Sequence, residues 1–269
     1  MRVLHCIDGL HPGGKERRLV ELLKSLAADK RVESELLVMS DVNRYPEVLT
    51  LDVPVWKLLR HTPHDLGVFR RLYALLRERC PQVIHTWDPM TSFYAAPVAA
   101  LLRIPLINGM VTKAPARLPL RSKERIAAML TFPLCAAVVG NSRAGLHSYR
   151  VPAAKAHCIH NGFDPARLKQ LDDPAMTRRS LGITTPFAVA MVGEFTPKKD
   201  YPTFIRAANL LLAARQDITF LAVGDGPGRA AAMAMVDAPS RTRVLFPGWV
   251  ERVESLMHAV DVGVLATDA

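Results

Sequence analysis

Four short segments of this 269-residue sequence carry the residue types that could do chemistry. Gly13-Gly14-Lys15-Glu16-Arg17 sets paired glycines before a lysine. Paired glycines let backbone N–H groups approach a phosphate or sugar, and a helix N-terminus adds partial positive charge. Val192-Gly193-Glu194-Phe195-Thr196-Pro197-Lys198-Lys199-Asp200 suits a diphosphate: Lys199 offers a point charge to oxygens held by backbone amides, and Gly193 leaves them room. Val223-Gly224-Asp225-Gly226-Pro227-Gly228 has three glycines that either cradle a ligand or turn the chain. Val83-Ile84-His85-Thr86-Trp87-Asp88 ends an apolar run in a polar donor, a stacking surface and a carboxylate. Each segment also has a plain alternative: a tight turn, a solvated charged loop, or a structural histidine. The nicotinamide fingerprint G-x-G-x-x-G is not matched, because the glycine spacing is wrong.

The elements that must position these segments alternate between short apolar runs and helical periodicity, which predicts βα units and parallel sheets. Val3 to Ile7 reads as a first strand. Leu19, Leu22, Leu23 and Leu26 recur at i, i+3, i+4, i+7 on the helix that follows the turn Gly9 to Gly14. Further strands are Leu36 to Met39, Val53 to Trp56 (an edge, for its proline), Val83 to His85, Leu106-Ile107 and Ala136 to Val139. Helices are expected over Leu66 to Leu76, Ala95 to Leu102 and Arg121 to Leu130. The polar segment Asp164 to Thr185, with Pro165 and Pro174, reads as a linker. The pattern then restarts with strands at Phe187 to Val192, Ile218 to Val223, Val244 to Phe246 and Val262 to Leu265. The expected division is 1–164 and 165–269. In open α/β sheets ligands lie beyond the carboxyl ends of the strands, where all four segments fall.

Net charge of +10 and a pI near 9.8 call for a polyanionic partner: nucleic acid, an anionic membrane or a phosphorylated substrate. Aromatic residues make up 6% and none interleaves with a basic run, so nucleic acid is not expected. The stretch Lys113 to Arg125 reads either as a peripheral contact with anionic lipid or as a solvated helix face. The four cysteines are scattered without metal spacing, and no carboxylate cluster would hold a metal. His5 and Asp8 break any signal-peptide run, and Thr131 and Pro133 interrupt the most apolar stretch. A cytoplasmic protein is expected, extending to the inner face of the plasma membrane.

Taken together and in order, the landmarks resemble the retaining glycosyltransferases of family four, which have the GT-B fold. They are Gly13-Gly14, His85, Gly140-Asn141-Ser142, His160-Asn161-Gly162-Phe163-Asp164, Gly193 to Lys199 with Gly224-Asp225-Gly226-Pro227, and Phe246-Pro247-Gly248-Trp249 with Arg252-Val253. The resemblance implies an α/β fold of two Rossmann-like doubly wound domains facing a cleft. It implies transfer of a sugar from a nucleotide-diphosphate sugar, a co-substrate rather than a cofactor, to a glycan or lipid-linked acceptor without a bound metal. Carried over, Lys199 holds the donor diphosphate with Gly193 and Gly224 beside it, Gly13 and Gly14 approach it, and Arg252 and Val253 line the base. His85 lies near the reacting sugar, with Lys15, Trp87, Asp88 and Asn161 on the acceptor side.

Three departures qualify this. Trp87 stands where many members carry a second histidine, and Glu194 where the family has arginine. The family's paired glutamates follow its fourth strand of the second half, whereas here no glutamate follows Glu254, although Thr267 matches the hydroxyl residue before them. The sequence therefore reads as C-terminally truncated, with Val262 to Leu265 an exposed apolar edge strand. Two rivals follow: a sugar-nucleotide epimerase of the same fold, and a non-catalytic nucleotide-sugar-binding fragment or scaffold.

Overall fold

The computed structural model describes residues 1–11, 13–29, 31–62, 65–115, 118–119 and 121–267. It divides into two compact units, Met1–Phe163 and Asp164–Ala269. In the first, seven strands form one parallel sheet: β1 (Arg2–Ile7), β2 (Glu33–Val38), β3 (Val55–Lys57), β4 (Val83–Thr86), β5 (Leu106–Val111), β6 (Ala137–Gly140) and β7 (Ala156–Cys158). Their order is β3-β2-β1-β4-β5-β6-β7, so the chain winds one way from β1 and then the other. The strand at Val55 with its preceding Pro54 is an edge, where the missing N–H costs no ladder bond.

Period-two alternation sorts the strand side chains onto two faces. Leu4, Cys6 and Ile84 join α2 (Gly67–Arg79), α3 (Pro89–Leu102) and α4 (Lys123–Thr131) in one core. Ile7, Leu36 and Val38 meet Leu19, Val20 and Leu23 of α1 (Gly14–Ala27) on the other. A short α5 (Arg143–Ser148) connects β6 to β7, capped by the Ser142 hydroxyl, which accepts from the Gly145 amide at 3.0 Å. The helix expected from Ala95 begins six residues earlier. Pro89 fits its first turn, and the Asp88 carboxylate accepts from the Thr91 amide at 2.8 Å, so capping chemistry sets the start rather than apolar periodicity.

The second unit has a parallel four-stranded sheet of β8 (Phe187–Val192), β9 (Ile218–Val223), β10 (Val244–Gly248) and β11 (Val262–Val264), ordered β10-β9-β8-β11. Helices α7 (Tyr201–Ala214) and α8 (Arg229–Ala234) cover one face, and α9 (Val253–Ala259) the other. The edge strand β11 leaves Val262 about half exposed, and Leu265 beyond it is open as well.

One expectation is corrected. Asp164 to Thr185 is an integral part of the second unit and not a bare linker. It forms a 3-10 turn at Pro165–Leu168 and a helix, α6 (Pro174–Ser180), that packs on α9. The Asp173 carboxylate caps α6 through the Met176 amide. Arg178 then donates to the carbonyls of Ala259 at 2.9 Å, Thr185 at 2.7 Å and Pro186 at 2.8 Å. The prolines that suggested a linker sit at first-turn positions of helices. Replacing Arg178 with Met leaves three carbonyls without a charged donor, an expected loss of about 2–3 kcal/mol in urea unfolding of the second unit. Limited proteolysis should then cut within 164–185; an unchanged digest and midpoint would contradict the assignment.

Candidate functional site

The predicted residues gather at the carboxyl ends of the strands in each unit. In the first, α1 starts at the Gly13-Gly14 turn with Gly13 as its N-cap and no side-chain cap on its first amides. Tyr45 grips this turn: its hydroxyl accepts from the Gly13 amide at 3.3 Å and donates to the Gly13 carbonyl at 3.0 Å. The two glycines differ in their surroundings. A Cβ at Gly13 would meet the Glu16 carboxylate at 2.4 Å, whereas one at Gly14 would enter open space. Gly14 is exposed at the head of a helix dipole, a place where an anion can approach bare N–H groups.

Arg18, one turn into α1, links this turn to the last segment of the unit. It donates to the Gly14 carbonyl at 3.2 Å and to Asn161 Oδ1 at 2.8 Å. Lys15 Nζ stands 3.3 Å from Glu16 and 3.7 Å from Asp88. Gly14, Lys15, Asp88 and Asn161 are thereby brought to one edge, with Arg18 and Tyr45 as members the sequence reading missed. The basic run Lys15-Arg17-Arg18 pointed towards Arg18, but nothing local marks Tyr45.

The His85-Trp87-Asp88 strand end is more buried than its sequence suggested. Asp88 is a bridging cap, accepting from the Asp8 amide at 2.9 Å as well as from Thr91. Burial raises its carboxyl pKa, and Lys15 and the two amides oppose that rise. Trp87 is buried with its indole N–H unpartnered; its ring packs tilted against His85, 4.6 Å between centroids, and does not offer a free surface. On the adjacent strand, at the same register, His5 lies 5.3 Å from His85. The His85 ring in turn covers Gly109 of β5, where a Cβ would sit 3.0 Å from Nε2. Burial, then the His85 ring, pushes the His5 pKa down to about 3, and burial takes His85 to about 4. Both imidazoles are neutral at ordinary pH, so neither is a fixed cation.

In the second unit, Gly193 follows β8 directly and Lys199 precedes Asp200, the N-cap of α7. The Lys199 stem lies over Gly193, where a Cβ would be 3.3 Å from Lys199 Cγ. Lys198 is exposed, and neither lysine makes a side-chain hydrogen bond or ion pair among the described residues. Glu194, exposed, makes none either. Thr267 forms an antiparallel bridge with Lys199, which places it beside the lysine.

The glycines of 224–228 are required by packing against the neighbouring loop. Gly224, at φ +132°, would put a Cβ 1.9 Å from the Gly193 carbonyl oxygen, and Gly226, at φ +148°, one 2.8 Å from that of Phe195. Amides lace the two loops: Gly193 to Val223, Phe195 to Asp225 and Gly228 to Phe195, at 3.0, 2.9 and 2.9 Å. Tyr201, stacked on Phe195 at 3.7 Å, donates to the Val223 carbonyl at 2.7 Å and lies 3.1 Å from that of Gly193. Sequence reading missed this tyrosine, because its role depends on two loops more than twenty residues apart. Arg252 caps α9, and its guanidinium is bound to Asp172 and the Gln170 carbonyl, while Val253 opens the helix half-buried.

Among the described residues no group of three His, Cys, Asp or Glu is placed to hold a metal ion, and no helix is long and apolar enough to cross a membrane. A broad groove of about 810 Å³ in the first unit opens among Ile107, Val139, His147 and Ile159, and none of the predicted residues lines it.

Two parallel, doubly wound α/β units with glycine turns at their strand ends define the GT-B class of glycosyltransferase folds. The family described as Glycosyltransferase Family 4 matches residues 12–167, more than half of the sequence, and the chain belongs to it. Residues 186–268 match the family described as Glycosyl transferases group 1. No curated protein matches the chain in sequence. Among solved structures it is similar to Anabaena Alr3699/HepE in complex with UDP-glucose: TM-score 0.81, 20% identity, 100% of this chain and 74% of that one. It is also similar to WaaG, a glycosyltransferase involved in lipopolysaccharide biosynthesis (0.71, 16%, 99% and 75%). A third likeness is to UDP-GlcNAc 2-epimerase from Methanocaldococcus jannaschii (0.69, 14%, 98% and 78%).

The histidine pair makes a prediction with a definite sign. Unfolded histidine titrates near 6.5, above the folded values of about 3 and about 4, so the unfolded chain takes up protons first as pH falls. Stability is therefore full above pH 6.5 and lost towards pH 4. Fully buried His5 contributes about 2 kcal/mol of loss by pH 5, and the partly open His85 less. Urea midpoints at pH 7 and pH 5 should differ accordingly, and His5→Leu should shrink the difference; an equal acid loss in the variant would refute the assignment.

Proposed function

We propose that this glycosyltransferase moves a hexose, with retention of anomeric configuration, from a nucleotide-diphosphate sugar to a glycan or lipid-linked acceptor in bacterial surface polysaccharide synthesis. It works on the cytoplasmic side without cofactor or metal. The observation that carries the reading is Lys199. Its stem is seated on Gly193, and its ammonium has no carboxylate partner among the described residues. A cation so placed beside strand-end amides suits the charge that develops on a departing diphosphate. HepE has been captured with UDP-glucose, which supports the same donor class here. Gly14 supports the donor reading from the first unit, since it is a bare helix N-terminus that the fold itself does not require to be glycine. In this assignment Gly13, Gly14, Gly193, Gly224, Lys199, Arg252 and Val253 serve the donor. His85 stands near the reacting sugar, with Lys15, Trp87, Asp88 and Asn161 towards the acceptor. Arg252 must then exchange its present partners or act through its backbone.

Lys199→Ala is expected to lower kcat/KM for donor consumption on the order of tenfold to a thousandfold, the range for loss of one charge-stabilising group. Unchanged kinetics would remove Lys199 from the site. Product analysis by NMR reads the anomeric configuration, and an epimerised free sugar nucleotide would assign the chain to the epimerase reaction instead. Turnover should persist in excess chelator; abolition reversed by Mg²⁺ or Mn²⁺ would overturn metal independence.

A further inference from the structure

The start of α1 lacks a cap of its own, and a residue 32 positions away supplies one. A helix leaves its first amides without intrahelical acceptors, and an N-cap side chain usually takes one of them. Gly13 holds the N-cap and has no side chain to give. Glu16 occupies the third helical position, from which a carboxylate can reach back to the N-cap amide. Here it does not. Glu16 makes no hydrogen bond among the described residues, and its carboxylate pairs with Lys15 at 3.3 Å.

The Gly13 amide is taken by Tyr45 instead. The phenol accepts from that amide at 3.3 Å and donates to the Gly13 carbonyl at 3.0 Å, its only hydrogen bonds among the described residues. The same carbonyl receives the Arg17 amide at 3.0 Å, the first bond of the helix. One hydroxyl thus fixes Gly13 at both its N–H and its C=O. The next two amides, of Gly14 and Lys15, have no acceptor among the described residues. Because the Lys15 ammonium is engaged by Glu16 and Asp88, at 3.3 and 3.7 Å, those amides are what the turn offers an anion.

The tyrosine is itself anchored. Its ring is buried in the core against α1, and the Arg17 guanidinium lies 4.9 Å from the ring centroid. Its amide donates to Asn43 Oδ1 at 2.8 Å. On either side of Asn43, the Arg44 amide donates to the Leu10 carbonyl at 2.8 Å, and the Val42 carbonyl accepts from the Leu10 amide at 2.9 Å. The hydroxyl is therefore aimed at the glycine turn from a fixed base.

We propose that Tyr45 is a positioning residue for the donor: its hydroxyl fixes Gly13 so that the Gly14 and Lys15 amides stay open and aligned for the diphosphate of the sugar nucleotide. Glycine has the most backbone freedom to lose, so two adjacent glycines without a clamp would have to be ordered at each binding event. A conventional side-chain cap would order the turn too, but it would occupy an amide that the ligand needs. The assignment rests on the donor role given to Gly13 and Gly14 above.

The test titrates wild type, Tyr45→Phe and Lys199→Ala with UDP-, GDP- and ADP-glucose and with the matching nucleosides, and follows consumption of the donor that binds. Tyr45→Phe keeps the buried ring and removes only the hydroxyl. It should weaken the sugar nucleotide roughly fivefold to thirtyfold, the effect of one residue's backbone freedom, and leave the nucleoside unchanged. KM should rise by the same factor with kcat held within about twofold, which also certifies that the variant is folded. Affinity equal to wild type, a loss that extends to the nucleoside, or a fall confined to kcat would overturn the proposal. Lys199→Ala separates it from the donor reading. Weakening in Lys199→Ala alone removes the tyrosine's role and keeps the lysine's, weakening in Tyr45→Phe alone does the reverse, and wild type that binds none of the three donors overturns both.

Discussion

Parallel pairing on both sides of two central strands organises everything else. β1 is hydrogen-bonded to β2 and β4, and β8 to β9 and β11, all parallel. Parallel neighbours need crossover connections, and chirality sends those from β1 to opposite faces as the order reverses. The turn after each central strand is therefore left between diverging connections. Gly13-Gly14 follows β1, and Gly193 to Lys199 follows β8. The site residues are where they are because the sheets are parallel, and the helices serve mainly to bury the two faces of each sheet.

Within that arrangement, glycine has two physical meanings. Gly224 and Gly226 adopt backbone angles and approach distances that no side chain tolerates, and they allow one loop to be laced to another. Gly14 has an ordinary backbone and open space around it, so nothing inside the protein explains the missing side chain. The first kind builds the junction of two loops, and the second leaves a helix N-terminus open.

The polar residues of the first unit follow a comparable division. Asp88, Trp87 and His5 are drawn into the structure by capping, ring packing and burial, while Lys15, Arg18 and Asn161 stay at the edge. His5 is the costly member, since both its ring nitrogens are buried without a hydrogen-bond partner. Its neighbour at that depth is His85, so the two neutral rings and Trp87 form one cluster of tilted ring contacts from β1 to the end of β4.

The sequence by itself determined the elements and their class. Alternating periods of two and 3.6 are local consequences of burying one face, so β1, α1, β8, β9 and α7 could be read from apolar spacing alone. The order of landmarks likewise disclosed the family, because glycine turns after strands survive as short local signatures. Tertiary structure decided whatever depends on distant partners. Asp88 read as a free carboxylate until the amides of Asp8 and Thr91 were seen to claim it. Asp164 to Thr185 read as a linker because its prolines are indistinguishable locally from breakers, yet Arg178 binds carbonyls up to 81 residues away. Tyr45 and Tyr201 hold the two glycine turns from elsewhere in the chain, and the outward apolar stripe of α4 has the same periodicity as an inward one. Periodicity fixes that a face exists, and only the packing of neighbouring elements fixes which way it points.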